Sequence, residues 1–210
     1  MDLSIKGKVA VVTGGSLGIG RAAAEAFAAE GVRVAIVARS KSVLEEAAQE
    51  ITEKTGVEVI AVPADVTSTE QVDAAIDQVA AHFGRIDILV NGAAHPGGLV
   101  RSELEHADPE GLLEDINIKV VGYMRFAKAV VAHMRQGGYG RIINIGGLTG
   151  RGSKQLSGMR NMAIVHMTKT LSDQLGPDGI TVNVIHPGVV ETPHIHELYA
   201  KEAKLQGLTP

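Results

Sequence analysis

Six short aliphatic runs punctuate the chain: VAVV at 9–12, VRVAIV at 32–37, VEVIAV at 57–62, IDILV at 86–90, RIINI at 141–145 and ITVNVI at 180–185. They are rich in β-branched side chains and edged by Gly, Asp or Pro, as expected of strands buried within a sheet. Between them, residues 21–30, 42–55, 69–83, 109–134 and 156–171 repeat apolar positions at helical spacing. Ser40, Thr67 or Ser68, and Asp108-Pro109 mark helix starts, and Gly31, Gly56 and Gly84 mark helix ends. Strict β–α alternation with right-handed crossovers predicts an α/β fold, a doubly wound parallel sheet with helices on both faces. No repeat, linker or boundary interrupts it, so residues 1–210 read as a single domain. After Pro187-Gly188 the pattern changes to a loop and a short polar helix, and the chain stops without returning to the sheet.

Composition narrows the function classes. Aromatics are only 3% of the chain and Trp is absent, so aliphatic side chains and Ala must fill the core. A net charge of −4, with no cluster of Lys and Arg, argues against a nucleic-acid partner. Without Cys there can be no disulfide, thiolate metal site or Cys nucleophile. No apolar run approaches the length of a membrane span or a signal peptide. The expectation is a cytoplasmic protein with no membrane partner.

TGGSLGIG, Thr13 to Gly20, follows the first strand and opens the first helix. Such a turn lets backbone N–H groups reach a phosphate at a helix N-terminus, the arrangement of a Rossmann fold that binds a dinucleotide. Gly14, Ser16, Leu17, Gly18, Ile19 and Gly20 are the candidate contacts. The spacing is Gly-x-x-x-Gly-x-Gly, and here the chain resembles the short-chain dehydrogenase/reductase family along nearly its whole length. The resemblance makes Asp65 and Val66 of ADVT adenine contacts. It places Asn91, Gly92 and Ala93 beside the cofactor after the fourth strand, where the family's usual Asn-Asn-Ala-Gly is altered to NGAA. It assigns Asn117 of DINIK to the catalytic site, and Pro187, Gly188, Val190 and Thr192 of HPGVVETP to the nicotinamide. At the second strand end, Ala38 stands where NAD-binding relatives carry an acid, and Arg39 and Ser40 follow. Arg39 can pair with a 2′-phosphate, which favours NADP(H) over NAD(H).

The same resemblance implies a catalytic Ser, a Tyr that moves the proton, and a Lys four residues later. Aligned on this chain, those positions hold Gly147, Ser157 and Asn161, and no Tyr-x-x-x-Lys occurs anywhere. Only Asn117 survives. A Ser hydroxyl is a far weaker acid than a phenol and sits closer to the backbone. Asn161 can bond a ribose hydroxyl but carries no charge. The candidate catalytic groups are therefore Asn117, Ser157 and Asn161. Lys119, Lys154 and Arg160 read as solvated surface residues, and His166 as packing or interface. His186, His194 and His196, near Glu191, lack a ligand spacing, so no metal is assigned.

Two functions remain open. One is an NADP(H)-dependent oxidoreductase with a non-standard active site, acting on a conjugated or carbonyl small molecule, similar to the family's dienoyl-thioester reductases. The other is an NADP(H)-binding pseudoenzyme with a regulatory or scaffolding role. The resemblance also implies a homodimer or homotetramer through the 109–134 helix and the helix opening near 156. Relatives continue with a further helix and strand, so the C-terminal strand is expected to be missing and the domain incomplete at its C-terminus.

Overall fold

The computed structural model describes residues 2–95, 104–151, 155–188, 190 and 191, with 196, 200, 203, 204 and 207 beyond them. Strands β1 (Val9–Thr13), β2 (Arg33–Ala38), β3 (Val59–Pro63), β4 (Ile88–Asn91), β5 (Gly140–Ile145) and β6 (Ile180–Ile185) form one parallel sheet. Its order is β3-β2-β1-β4-β5-β6. The chain reverses direction across the sheet between β1 and β4, which opens a crevice at their carboxyl ends.

Side-chain alternation divides the core in two. Val9 and Val11 point into a cluster with Val72, Ile76, Phe126 and Met134. Ala10 and Val12 point the other way, against Ala24, Ala28, Leu44 and Ile51. Each fully buried Val or Ile contributes about 1.5–3 kcal/mol, so both faces need helices. α1 (Gly18–Ala29) and α2 (Lys41–Thr55) cover one face. α3 (Thr69–Phe83) and α5 (Gly122–Gly137) cover the other. Ser68 caps α3 by accepting the Gln71 N–H, and Gly56 and Gly84 close α2 and α3 in the left-handed region.

Strand starts differ slightly from the sequence pattern. β3 begins at Val59 because the Val57 N–H is taken by the Thr55 hydroxyl at the end of α2. β4 begins at Ile88, since the preceding Asp87 carboxylate accepts the Val9 N–H and binds Arg85.

The larger departure is in the long helix. The expected continuous helix over 109–134 is split into α4 (Pro109–Ile116), a π-turn (Asn117–Val121) and α5. The Gly122 N–H reaches back five residues to the Asn117 carbonyl. The last helix of the sheet-forming region, α6 (Gly158–Leu175), runs between β5 and β6. Beyond it, the described positions His196, Ala200, Ala203 and Lys204 are helical, in line with the polar helix read from the sequence.

Candidate active site

The turn after β1 is shaped by backbone contacts that exclude side chains. Gly14 has φ +70°, and a Cβ there would meet the backbone of Gly92 and Ala93 at 3.0 Å. A Cβ on Gly20 would lie 2.2 Å from the Gly14 carbonyl oxygen, so only glycine lets α1 close on the turn. The Thr13 hydroxyl accepts the Gly92 and Ala93 N–H groups, which ties the β4 end to the same turn. Leu17, the residue before α1, contributes no side-chain cap and the first turn holds no acid. The N–H groups there are thus left for an anionic ligand. A cleft of about 460 Å³ separates Gly18, Ile19 and Ala22 from Pro187, Val190 and Glu191. The sequence candidates at the two ends of the chain are thereby brought together, while Thr192 lies outside the described residues.

Arg39 is exposed just past β2, next to Ser40, whose hydroxyl caps nothing. Asp65 accepts hydrogen bonds from the backbone and hydroxyl of Thr67. Partial burial pushes its carboxyl upward, but these bonds and the charges of Arg39 and Arg125 outweigh it and hold it below the usual value. Val66 and Asn91 turn their side chains inward. Val66 packs in the core, and Asn91 donates to the Asn144 amide oxygen, which links β4 to β5. Any contact of these two with a cofactor would be through backbone.

At the β5 end, two adjacent glycines admit two polar side chains. A Cβ on Gly146 would lie 2.6 Å from Nδ1 of His186, and one on Gly147 would lie 2.7 Å from Nδ2 of Asn161. Asn161 is 4% exposed. Its Nδ2 donates to the Thr149 hydroxyl at 2.7 Å, and its Oδ1 accepts from Nζ of Lys119 at 3.0 Å. Lys119 Nζ also donates to the Gly146 carbonyl at 2.9 Å. Burial, then repulsion from Arg160, pushes the Lys119 ammonium down to about 8, partly offset by Asp115. Asp115 is fully buried and paired with Arg160; among the described residues its Oδ2 and the Arg160 Nε have no partner. Tyr123 is buried with its hydroxyl donating to the Ile145 carbonyl, and burial raises its pKa far above the ordinary phenol value.

The three sequence-derived catalytic candidates have different partners. Asn117 begins the π-turn, and its Oδ1 accepts from Arg125 at 3.0 Å. Ser157 precedes α6, half-buried, and its side chain caps no backbone N–H. Only Asn161 enters the buried network.

Residues 8–203 match the family model described as short chain dehydrogenase. The chain belongs to the short-chain dehydrogenase family. It is 40% identical over 198 residues to the short-chain reductase protein NovJ of Streptomyces niveus, covering 90% of this chain and 72% of that one. It is 34% identical over 194 residues to the 3-oxoacyl-[acyl-carrier-protein] reductase FabG of Escherichia coli, with 90% and 76% covered. Among solved structures, L-sorbose reductase from Gluconobacter frateurii, complexed with NADPH and L-sorbose, superposes with a TM-score of 0.90 at 36% identity. That match covers 97% of this chain and 78% of the other. An NAD⁺-bound xylitol dehydrogenase gives 0.87 at 32% identity, covering 97% and 77%.

Within this family member, several sequence readings are corrected. Lys119 is not a surface residue but 4% exposed, because the π-turn directs it at the β5 end. Arg160 is equally misplaced as surface: its side chain is 12% exposed and neutralises the buried Asp115. His166 is exposed, which removes the packing half of its reading and leaves the interface half. Lys154 and His194 fall outside the described residues, and His196 pairs with Glu191. Among the described residues no group of three or more His, Cys, Asp and Glu is placed to hold a metal. No helix among them is long and apolar enough to cross a membrane. Arg125 was missed by sequence reasoning; it joins Asn117 to the Val66 carbonyl and the Thr69 hydroxyl.

Proposed function

We propose that this short-chain dehydrogenase is an NADP(H)-dependent oxidoreductase that reduces a small conjugated or carbonyl compound with an active site departing from the family's Ser, Tyr and Lys. The observation that carries the reading is the glycine turn, packed through Gly14 and Gly20 so that α1 starts directly behind β1, with no side-chain cap from Leu17 on the helix N-terminus where a pyrophosphate would sit. Gly14, Ser16, Leu17, Gly18, Ile19 and Gly20 would hold that group. Asp65, Val66, Asn91, Gly92 and Ala93 would border the adenosine and ribose, and Pro187, Gly188, Val190 and Thr192 the nicotinamide. Arg39 makes no ion pair among the described residues, which leaves its guanidinium for a 2′-phosphate. Relatives of similar identity bind NADPH in one case and NAD⁺ in the other, so Arg39 is the feature that selects between them here.

A bound nicotinamide supplies hydride; the chain must bind, orient and stabilise the acceptor. The described tyrosines offer no phenol for that work. Tyr123 is buried and committed to Ile145, and Tyr139 lies between Lys8 and Arg141. This favours conjugate reduction, where hydrogen bonds stabilise an enolate and water supplies the proton. Asn117, Ser157 and Asn161 are the proposed donors. The test is NADPH oxidation measured against simple ketones, enones and enoyl thioesters. Turnover should be fastest with a conjugated acceptor. Rapid reduction of simple ketones, unaltered in Ser157→Ala, would refute the assignment. Tight NADPH binding with no turnover of any acceptor would favour the pseudoenzyme instead.

A further inference from the structure

Residues from three separate segments meet at one amide, that of Asn161. Lys119 comes from the π-turn, Thr149 and Gly147 follow β5, and Asn161 lies one turn into α6. An ammonium can only donate, so Lys119 fixes the amide orientation: Oδ1 toward Nζ and Nδ2 toward Thr149. One N–H of Nδ2 goes to Thr149, and no bond of the second is found among the described residues. That nitrogen stands 2.7 Å from where a Cβ of residue 147 would begin. Gly147 and Asn161 are thus one arrangement: the missing side chain is the space the amide fills.

We propose that Nδ2 of Asn161, entering the space a side chain at position 147 would use, donates to the substrate oxygen, and that Lys119 is the positioning residue that orients and polarises it. The inference rests on the oxidoreductase reading above and specifies the oxygen-bearing end of its acceptor, an enone or enoyl thioester carbonyl. As the β carbon gains hydride, the carbon–carbon π electrons move toward the carbonyl oxygen, which becomes an enolate. Asn161 donates a hydrogen bond to that oxygen and keeps its proton, and the α carbon takes a proton from water. Hydrogen bonding of the ammonium to Oδ1 draws electron density from the amide and strengthens its N–H as a donor. Asn161 therefore faces substrate rather than the ribose hydroxyl expected from its alignment.

Charge on Lys119 is what maintains this orientation. Facing it are Asp115 from α4, Arg160 from α6, Tyr123 from α5 and, beyond Gly146 and Gly147, His186 after β6. Once Lys119 loses its proton, its amine can accept as well as donate, and the amide is no longer held one way.

Two readouts test the proposal. The first needs no turnover: the side-chain amide signals of Asn161, assigned by their loss in Asn161→Ser, are followed by NMR through a pH series. In the wild type they should shift with a midpoint near pH 8. In Lys119→Met that transition should vanish, and in Lys119→Arg, whose guanidinium stays charged, it should also be absent while the low-pH signal persists. The second is kinetic, with the best conjugated acceptor. Asn161→Leu should lower kcat by about 10²–10³-fold, the range for an oxyanion donor, with NADPH binding retained. Lys119→Met should lose roughly tenfold in kcat together with the pH limb near 8, and Lys119→Arg should restore part of kcat. An Asn161 amide that ignores pH, or titrates equally in Lys119→Met, overturns the polarised donor. So does a Lys119→Met enzyme that is merely less stable, with kcat and pH profile intact. If Lys119→Met does not fold, Lys119→Arg carries the same decision. An unreactive wild type would instead refute the oxidoreductase reading, and the amide titration would still decide the contact.

Discussion

Placing a lysine at position 161 should damage this protein, because the site already holds a cation. Lys119 Nζ lies 3.0 Å from the Asn161 amide oxygen, so Asn161→Lys sets two ammonium groups side by side in a buried pocket. At about 4 Å and an effective dielectric constant of about 20, two like charges repel by about 4 kcal/mol. Lys119 can escape by releasing its proton, and with its pKa near 8 that release at neutral pH requires only about 1.4 kcal/mol. The repulsive part of the penalty should then be about 1–2 kcal/mol at neutral pH and approach the full 4 kcal/mol roughly two units lower. It should disappear above the Lys119 transition. A double-mutant cycle isolates it: wild type, Asn161→Lys, Lys119→Met and the double variant, unfolded in urea at several pH values. The double variant should be more stable than Asn161→Lys alone, and the coupling should grow as pH falls. A coupling that stays within about 0.5 kcal/mol of zero, or that does not change with pH, would place Lys119 away from Asn161 and refute the reasoning.

Other consequences are open to direct measurement. Arg39→Ala should weaken NADPH binding by roughly ten- to a hundredfold and leave NADH nearly unchanged. With no Trp in the chain, the cofactor's own emission reports this cleanly, and an unchanged NADPH/NADH ratio would contradict the role of Arg39. Gly20→Ala should abolish cofactor binding and lose about 1–3 kcal/mol of stability through overpacking against Gly14, whereas Gly56→Ala, with open space around it, should leave binding intact. Between about pH 8 and the ordinary lysine value of 10.5, the folded chain has released the Lys119 proton and the unfolded chain has not, so unfolding takes up a proton and stability should rise with pH. That rise should be missing in Lys119→Met. The groove between α5 and α6, with Met124, Ala127, Val131 and Leu171, is the expected surface of a homodimer or homotetramer, and Val131→Glu should shift sedimentation toward monomer.

The sheet was readable because every strand is an aliphatic run with its own turn residues, and a parallel sheet buried on both faces demands such runs. The tight turn after β1 was readable because Gly14, Gly18 and Gly20 lie within seven positions and their geometry is local. The network around Asn161 was not, because its members are far apart in sequence: Asp115 and Arg160 are separated by 45 positions and Lys119 and Asn161 by 42. A signal existed nonetheless. In LLEDINIKVV, Glu114, Asp115 and Lys119 interrupt an apolar run, and those of its charges that are buried must find partners. Reading Lys119 as surface assumed an ordinary 3.6-residue period, which the π-turn breaks. The period itself was the wrong premise.

That turn has an evolutionary consequence. A wide turn accommodates one residue more than the α-helical ladder requires, so the direction of Lys119 is set by how many residues the segment contains as well as by their identity. Removing a single position between Asn117 and Gly122 would close the wide turn into a regular α-turn, leaving the flanking helices facing as they do and redirecting the side chains within the turn. Lys119 would leave the β5 end while remaining a lysine. A lineage altering this site could therefore switch it with one codon gained or lost, a route that comparisons of substitutions alone would overlook.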